Sequence, residues 1–208
     1  MKQILSFMFI LCFICQIESE TSIFDKCEWK EHLLEDNIEL YWNTSSYPCF
    51  YKAETTINDS YYDDVLNTLL DFGNYKKIFP GTEKFDVLEK QGNSFLIHCI
   101  LNFFPLKNRE YVICLKYFEQ ENNPSMLIEW NSVDNALARK FLNNKKYKLI
   151  KSVNGRWKIF KTSENKIMIS LEYYNDWEIE ADNDLMILLE KKSTITSMKN
   201  LLRYIGIE

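Results

Sequence analysis

The sequence predicts an α+β domain in which a curved antiparallel β-sheet wraps around a long C-terminal α-helix. Three observations carry this. From Glu83 to Tyr173, apolar residues recur in strand-length segments punctuated by turn signals. From about Asp182 to Ile205 the period changes to that of an amphipathic helix. The 208 residues are 46% hydrophobic and 15% aromatic with five Gly and four Pro, which supplies a core and shows no linker for a second domain.

The elements follow in order. Met1 to Ser19 carries one cation at Lys2, an apolar run from Ile4 to Cys15, then the polar Gln16, Glu18 and Ser19. That is the layout of a secretory signal peptide, and the run falls short of the ~20 residues of a membrane-spanning helix. The expectation is therefore a leader over residues 1–19, a domain over residues 20–208, and a secreted or periplasmic location. Glu28 to Leu34, with Trp29, Leu33 and Leu34, reads as a short lead-in helix, and Ile38, Leu40 and Trp42 as the first strand. After the polar stretch Asn43-Thr44-Ser45-Ser46, the residues Cys49, Tyr51, Ala53, Thr55 and Ile57 form one face of a second strand. Asn58-Asp59-Ser60 offers caps, Asp63 stands three residues after Ser60 as in a capping box, and a helix is expected from Ser60 to about Phe72. One more helical turn around Tyr75 to Phe79 stops at Pro80-Gly81.

Beyond Glu83 the strands are Phe85 to Leu88, Phe95 to Phe103, Glu110 to Phe118, Met126 to Val133, Tyr147 to Val153, Trp157 to Lys161 and Ile167 to Tyr173. Turn signals separate them at Gln91-Gly92-Asn93, Lys107-Asn108, Asn122-Asn123-Pro124, Asn154-Gly155 and Glu164-Asn165, with an irregular stretch from Asp134 to Lys146. On the closing helix Leu185, Leu188, Leu189, Ile195, Met198, Leu202 and Ile205 share a face. Asn43 and Asn58 begin Asn-x-Ser/Thr triplets and read as a turn and a helix cap.

Several function classes lose support. The formal charge of −5 is spread along the chain, which argues against nucleic-acid binding. His32 and His98 are the only histidines, and no nucleophile elbow, zinc-protease signature, phosphate loop or dinucleotide fingerprint occurs. Past the leader, Cys27, Cys49, Cys99 and Cys114 show no zinc spacing. They either form disulfides, for example Cys27–Cys49 and Cys99–Cys114, or serve as small buried hydrophobes. No catalytic residue, metal or cofactor is expected.

A sheet of this size is not filled by one helix unless large side chains or a ligand occupy the remainder. The passages Asp36–Trp42 (DNIELYW), Leu69–Glu89, Phe104–Tyr117 (FPLKNREYVICLKY), Ile128–Asp134 (IEWNSVD), Val153–Ile159 (VNGRWKI) and Ser193–Ile205 stand in an order and spacing that resemble the START (StAR-related lipid transfer) domain family, particularly its small single-domain bacterial members. The resemblance covers nearly all of the chain after the leader. It implies a helix-grip fold with an internal hydrophobic cavity, closed by the C-terminal helix, that binds and transports a lipid or other hydrophobic molecule, as a monomer with transient membrane contact. An enzyme of the polyketide cyclase/hydrolase type using the same cavity is the alternative.

Candidate ligand contacts follow. Arg109 directs a guanidinium fork either at a ligand or at a surface acid such as Glu110. His98, among apolar neighbours, is either a ligand contact and pH-sensitive gate or a hydrogen-bonded structural histidine. Trp130 and the helical positions Leu188, Ile195, Met198 and Leu202 are candidates for the cavity wall or for plain core. Opening is expected of the C-terminal helix or of the stretch from Asp134 to Lys146.

Overall fold

A computed structural model of the chain describes residues 22–43, 48–102, 107–120, 125–142, 147–150, 152–162, 165–177 and 183–207. The expected leader, the turn at Asn122-Asn123-Pro124 and Glu164 lie outside the described residues.

Alternating side chains put one face of each strand inside. The strands are β1 (Glu31–Glu35), β2 (Ile38–Asn43), β3 (Phe50–Asn58), β4 (Thr82–Gln91), β5 (Ser94–Leu101), β6 (Arg109–Gln120), β7 (Ser125–Ser132), β8 (Lys148–Leu149), β9 (Ser152–Lys161) and β10 (Lys166–Asp176). They form one sheet in the order β1-β2-β3-β10-β9-β7-β6-β5-β4, antiparallel throughout except for β8, which runs parallel beside the start of β6. Pairing of β3 with β10 joins the first hairpin to the end of the meander. Between β3 and β4 the helices α1 (Tyr62–Leu70) and α2 (Tyr75–Ile78) carry the chain to the far edge of the sheet. The remaining helices are α3 (Asn135–Ala138) and the 22-residue α4 (Asn183–Tyr204).

The core lies between the concave face and α4. Leu40, Tyr51, Ala53, Ile97, Leu115, Ile128, Trp157, Ile169 and Leu171 from the strands pack in one cluster with Ile195, Met198, Leu201 and Leu202 of α4. A second, smaller cluster sits on the opposite face, where Leu96, Val112, Cys114 and Val133 meet Ala138 of α3, with Leu137, Phe141 and Leu142 partly buried over them. The stretch expected to be irregular thus contains a helical turn that covers part of the convex side. The rest of that side carries charge. Arg156, buried on β9, donates from Nε to Glu172 on β10 (2.6 Å) and from a terminal nitrogen to Asp25 in the N-terminal segment (2.7 Å).

Four local expectations differ from the structure. Glu31–Glu35 is an exposed edge strand and not a helix: Asp36 and Asn37, with φ of 49° and 61°, make the two-residue turn that folds β1 onto β2, with Glu35 opposite Ile38. Asn154-Gly155 makes no turn. Gly155 lies within β9 opposite Trp130, where an added Cβ would stand 2.2 Å from the indole, so the glycine makes room for a ring. The capping box at Ser60 is absent; Asn58 instead accepts a hydrogen bond from Ser60 N (2.9 Å) and caps a 3-10 turn that leads into α1. Lastly, Cys27, Cys49 and Cys99 are free thiols. Cys99 sits opposite Tyr111 and Cys114 opposite Leu96, so the two cysteines point to opposite faces of the sheet and cannot pair.

Candidate functional site

The concave face is incompletely filled. A cavity of about 430 Å³ lies beneath the N-terminal half of α4. Its floor is built from inward-facing residues of central strands: Tyr111 and Ile113 of β6, Trp130 of β7, Val153 of β9 and Tyr173 of β10, followed by Asn175 and Trp177 where β10 ends. One side wall comes from Tyr75 of α2, the turn from Phe79 to Thr82, Phe85 of β4 and Leu101 at the end of β5. Here Gly81 adopts φ +80°, and a Cβ would stand 2.9 Å from the Asn102 carbonyl oxygen, so the tight turn excludes other side chains. Met186, Leu189, Glu190, Lys192, Ser193 and Thr196 of α4 form the roof. Exposed Asn102, Leu189 and Lys192 mark the rim.

Aromatic rings dominate the lining and brace each other. Tyr75 stacks on Phe85 with centroids 4.6 Å apart, and Phe79 meets the Trp130 ring edge to face at 5.9 Å. Polar groups are few. Glu190 is buried on α4, and Trp177 Nε1 donates to its carboxylate oxygen. The Tyr173 hydroxyl donates to the Glu190 backbone carbonyl at 2.8 Å and lies 2.7 Å from Thr194 Oγ1, tying the helix to β10. Burial pushes the Glu190 carboxyl up from its ordinary range, and hydrogen bonds from Trp177, Tyr173 and Asn175 offset only part of that. Burial likewise raises Tyr173, Tyr111 and Tyr75, so these phenols stay neutral. The buried Tyr75 hydroxyl has no hydrogen-bond partner among the described residues.

Of the residues singled out in the sequence, Trp130 lines the cavity. Arg109 begins β6 on the same parity as Tyr111, but its guanidinium donates to the Lys107 carbonyl at 2.7 Å and it is not among the lining residues. His98 faces the convex side, because Ile97 and Cys99 take the inward positions on β5; its Nε2 lies 2.8 Å from Glu110 Oε1. Ile195, Met198 and Leu202 pack in the core farther along α4, and Leu188 is 62% exposed. The buried stripe of α4 runs through Met186, Glu190, Thr194 and Ser197, not through Leu185, Leu188 and Leu189. Glu190, Trp177 and Asn175 carried no signal in the sequence. A single acid on a charged helix is read as solvent-facing, and only its partners at the end of β10 turn it inward.

An antiparallel sheet that grips its C-terminal helix over an apolar cavity defines a helix-grip protein. A comparison with protein-family models found no match, and neither did a search of curated proteins. Solved structures do match. The STAR-related lipid transfer protein of Xanthomonas axonopodis is 15% identical, with 85% of this chain and 98% of that one aligned at a TM-score of 0.69. Human STARD10 is 13% identical over 92% and 82% of the two chains, at 0.71. Human StAR-related lipid transfer protein 5 is 10% identical over 99% and 98%, at 0.69. The fold is therefore the START form of the helix-grip fold.

Proposed function

We propose that the chain reversibly binds a lipid or comparable hydrophobic molecule in this cavity and transfers it between surfaces. The observation that carries the reading is the lining: apolar and aromatic side chains from eight elements converge on one space, with a few polar groups among them. Removing apolar ligand surface from water into such a preformed space supplies the driving force, and the polar groups set orientation. The solved neighbours named as lipid-transfer proteins support the same reading. Export through the N-terminal leader, action as a monomer and brief membrane contact during loading belong to the proposal.

The test is to purify the protein lacking residues 1–19, extract it with organic solvent and analyse the extract by mass spectrometry. A stoichiometric lipid supports carriage. A clean protein that also fails to bind a broad lipid panel overturns it. One observation favours a catalytic alternative: an acid pushed toward its protonated form faces the cavity beside a tyrosine, which is equipment for proton transfer. Under that reading a recovered ligand changes mass on incubation with protein, whereas a carrier returns it unaltered.

A further inference from the structure

Charge is distributed unevenly around the cavity. Among the described lining residues Glu190 is the only acid and Lys192 the only base, and Lys192 is exposed at the rim. Glu190 is held in place: Trp177 Nε1 donates to its carboxyl, while Tyr173 and Thr194 donate to its backbone carbonyl at 2.8 and 2.6 Å. The guanidinium that could have neutralised an acidic ligand, Arg109, is held at the start of β6 by the Lys107 carbonyl. Among the described lining residues no buried cation is present, so a carboxylate or phosphate seated beside Glu190 would lie against another acid, which is costly.

We propose that the cavity selects amphiphiles whose polar end is uncharged and both donates and accepts a hydrogen bond, such as an alcohol or amide, and seats that end against the Glu190 carboxyl. This rests on the hydrophobic-ligand reading above. The groups facing Glu190 agree with it. Tyr173 on β10, Tyr111 on β6 and Cys49 beside β3 are each pushed up by burial, so they remain neutral and bring no charge to attract or repel a head group. Burial favours the protonated form of Glu190 itself. Its carboxyl has acceptor capacity beyond the bond from Trp177, which a hydroxyl or amide N–H can fill. Asn175, Ser193 and Thr196 add uncharged polar groups to the same lining.

The experiment compares a long-chain alcohol with the fatty acid of equal chain length by titration calorimetry at neutral pH. The unmodified protein is expected to bind the alcohol tighter by about tenfold or more. Glu190→Gln is expected to narrow that gap to about threefold or less, chiefly by admitting the acid. The inference is overturned if the unmodified protein binds the acid as tightly as the alcohol, or if Glu190→Gln preserves the gap. Binding of neither probe removes the hydrophobic-ligand reading along with it. The comparison on the unmodified protein decides the matter even where a variant fails to fold.

Discussion

At the scale of single residues, two positions concentrate the conflict between stability and an open cavity. Glu190 is an acid whose folded-state pKa lies above its unfolded value because burial disfavours the charge. Between those two values the native state holds a proton that the unfolded chain has released, so stability falls as pH rises. Glu190→Gln removes the ionisation while keeping an acceptor for Trp177. Its melting temperature is therefore expected to match that of the unmodified protein at acid pH and to exceed it at neutral and higher pH. Parallel melting curves at all pH values would show that the carboxyl carries no such cost. Gly155 is the second position. Alanine there drives a methyl into the Trp130 ring, 2.2 Å from the nearest carbon, with the sheet backbone fixed on both sides by β7 and β10. The expected loss is about 1–3 kcal/mol, typical of overpacking, with a shift in tryptophan fluorescence as Trp130 moves toward the cavity. Denaturant titration followed by fluorescence measures both.

At the scale of elements, α4 is fastened unevenly. Its C-terminal half is tied down on several sides: Lys199 Nζ donates to Glu35 (2.7 Å) and Asp36 (2.6 Å), Asn200 donates to the Ile78 carbonyl (3.1 Å), and the Tyr204 hydroxyl donates to Asn74 (2.7 Å). Its first turns expose Leu185, Leu188 and Leu189 and are held mainly at Glu190 and by Lys191 over the Trp42 ring. Amides from Ile187 to Leu189 are expected to exchange with deuterium faster than those from Ile195 to Leu202, with the difference reduced when ligand is bound. Lys199→Met should speed exchange in the last turns only. Uniform exchange along the helix would remove it as the opening element. The strands were legible in the sequence because alternation and turn residues coincide, as at Gln91-Gly92-Asn93, where Gly92 takes φ 56°. β1 was not, since Trp29, Leu33 and Leu34 fit a helical spacing equally well and the Asp36-Asn37 turn went unread. The first turns of α4 were misread for a related reason, although Ile195, Met198 and Leu202 of the expected face are buried. Leu185, Leu188 and Leu189 look like core yet stand exposed, while Glu190 and Thr194 turn inward because Trp177 and Tyr173, at and just past the end of β10, supply their hydrogen-bond partners.

At the scale of the whole molecule, the fold leaves a space that neighbouring side chains do not fill. Trp130 stood in the sequence as a candidate for the cavity wall or for plain core, and it is one of the lining residues. The cavity as a unit was not, because it arises where ends of β5, β6, β9 and β10 meet under α4, residues far apart in the chain. Unfilled apolar volume forgoes dispersion contacts, so the empty state is less stable than a packed core of the same size. A ligand that binds only the native state restores stability by mass action, by about 2.7 kcal/mol at one hundred times its dissociation constant. For a domain of this length that is a rise in melting temperature of roughly 5–10 °C. Val153 lines the floor on β9 with its side chain turned inward, so Val153→Phe places an aromatic ring in the space without altering charge. The variant is expected to melt at or above the temperature of the empty unmodified protein and to lose most of the ligand-induced rise. Calorimetric scans of both proteins, with and without the lipid recovered from extraction, read the two effects separately. Should Val153→Phe melt lower and keep the full ligand shift, the lipid resides elsewhere and this cavity is not its site.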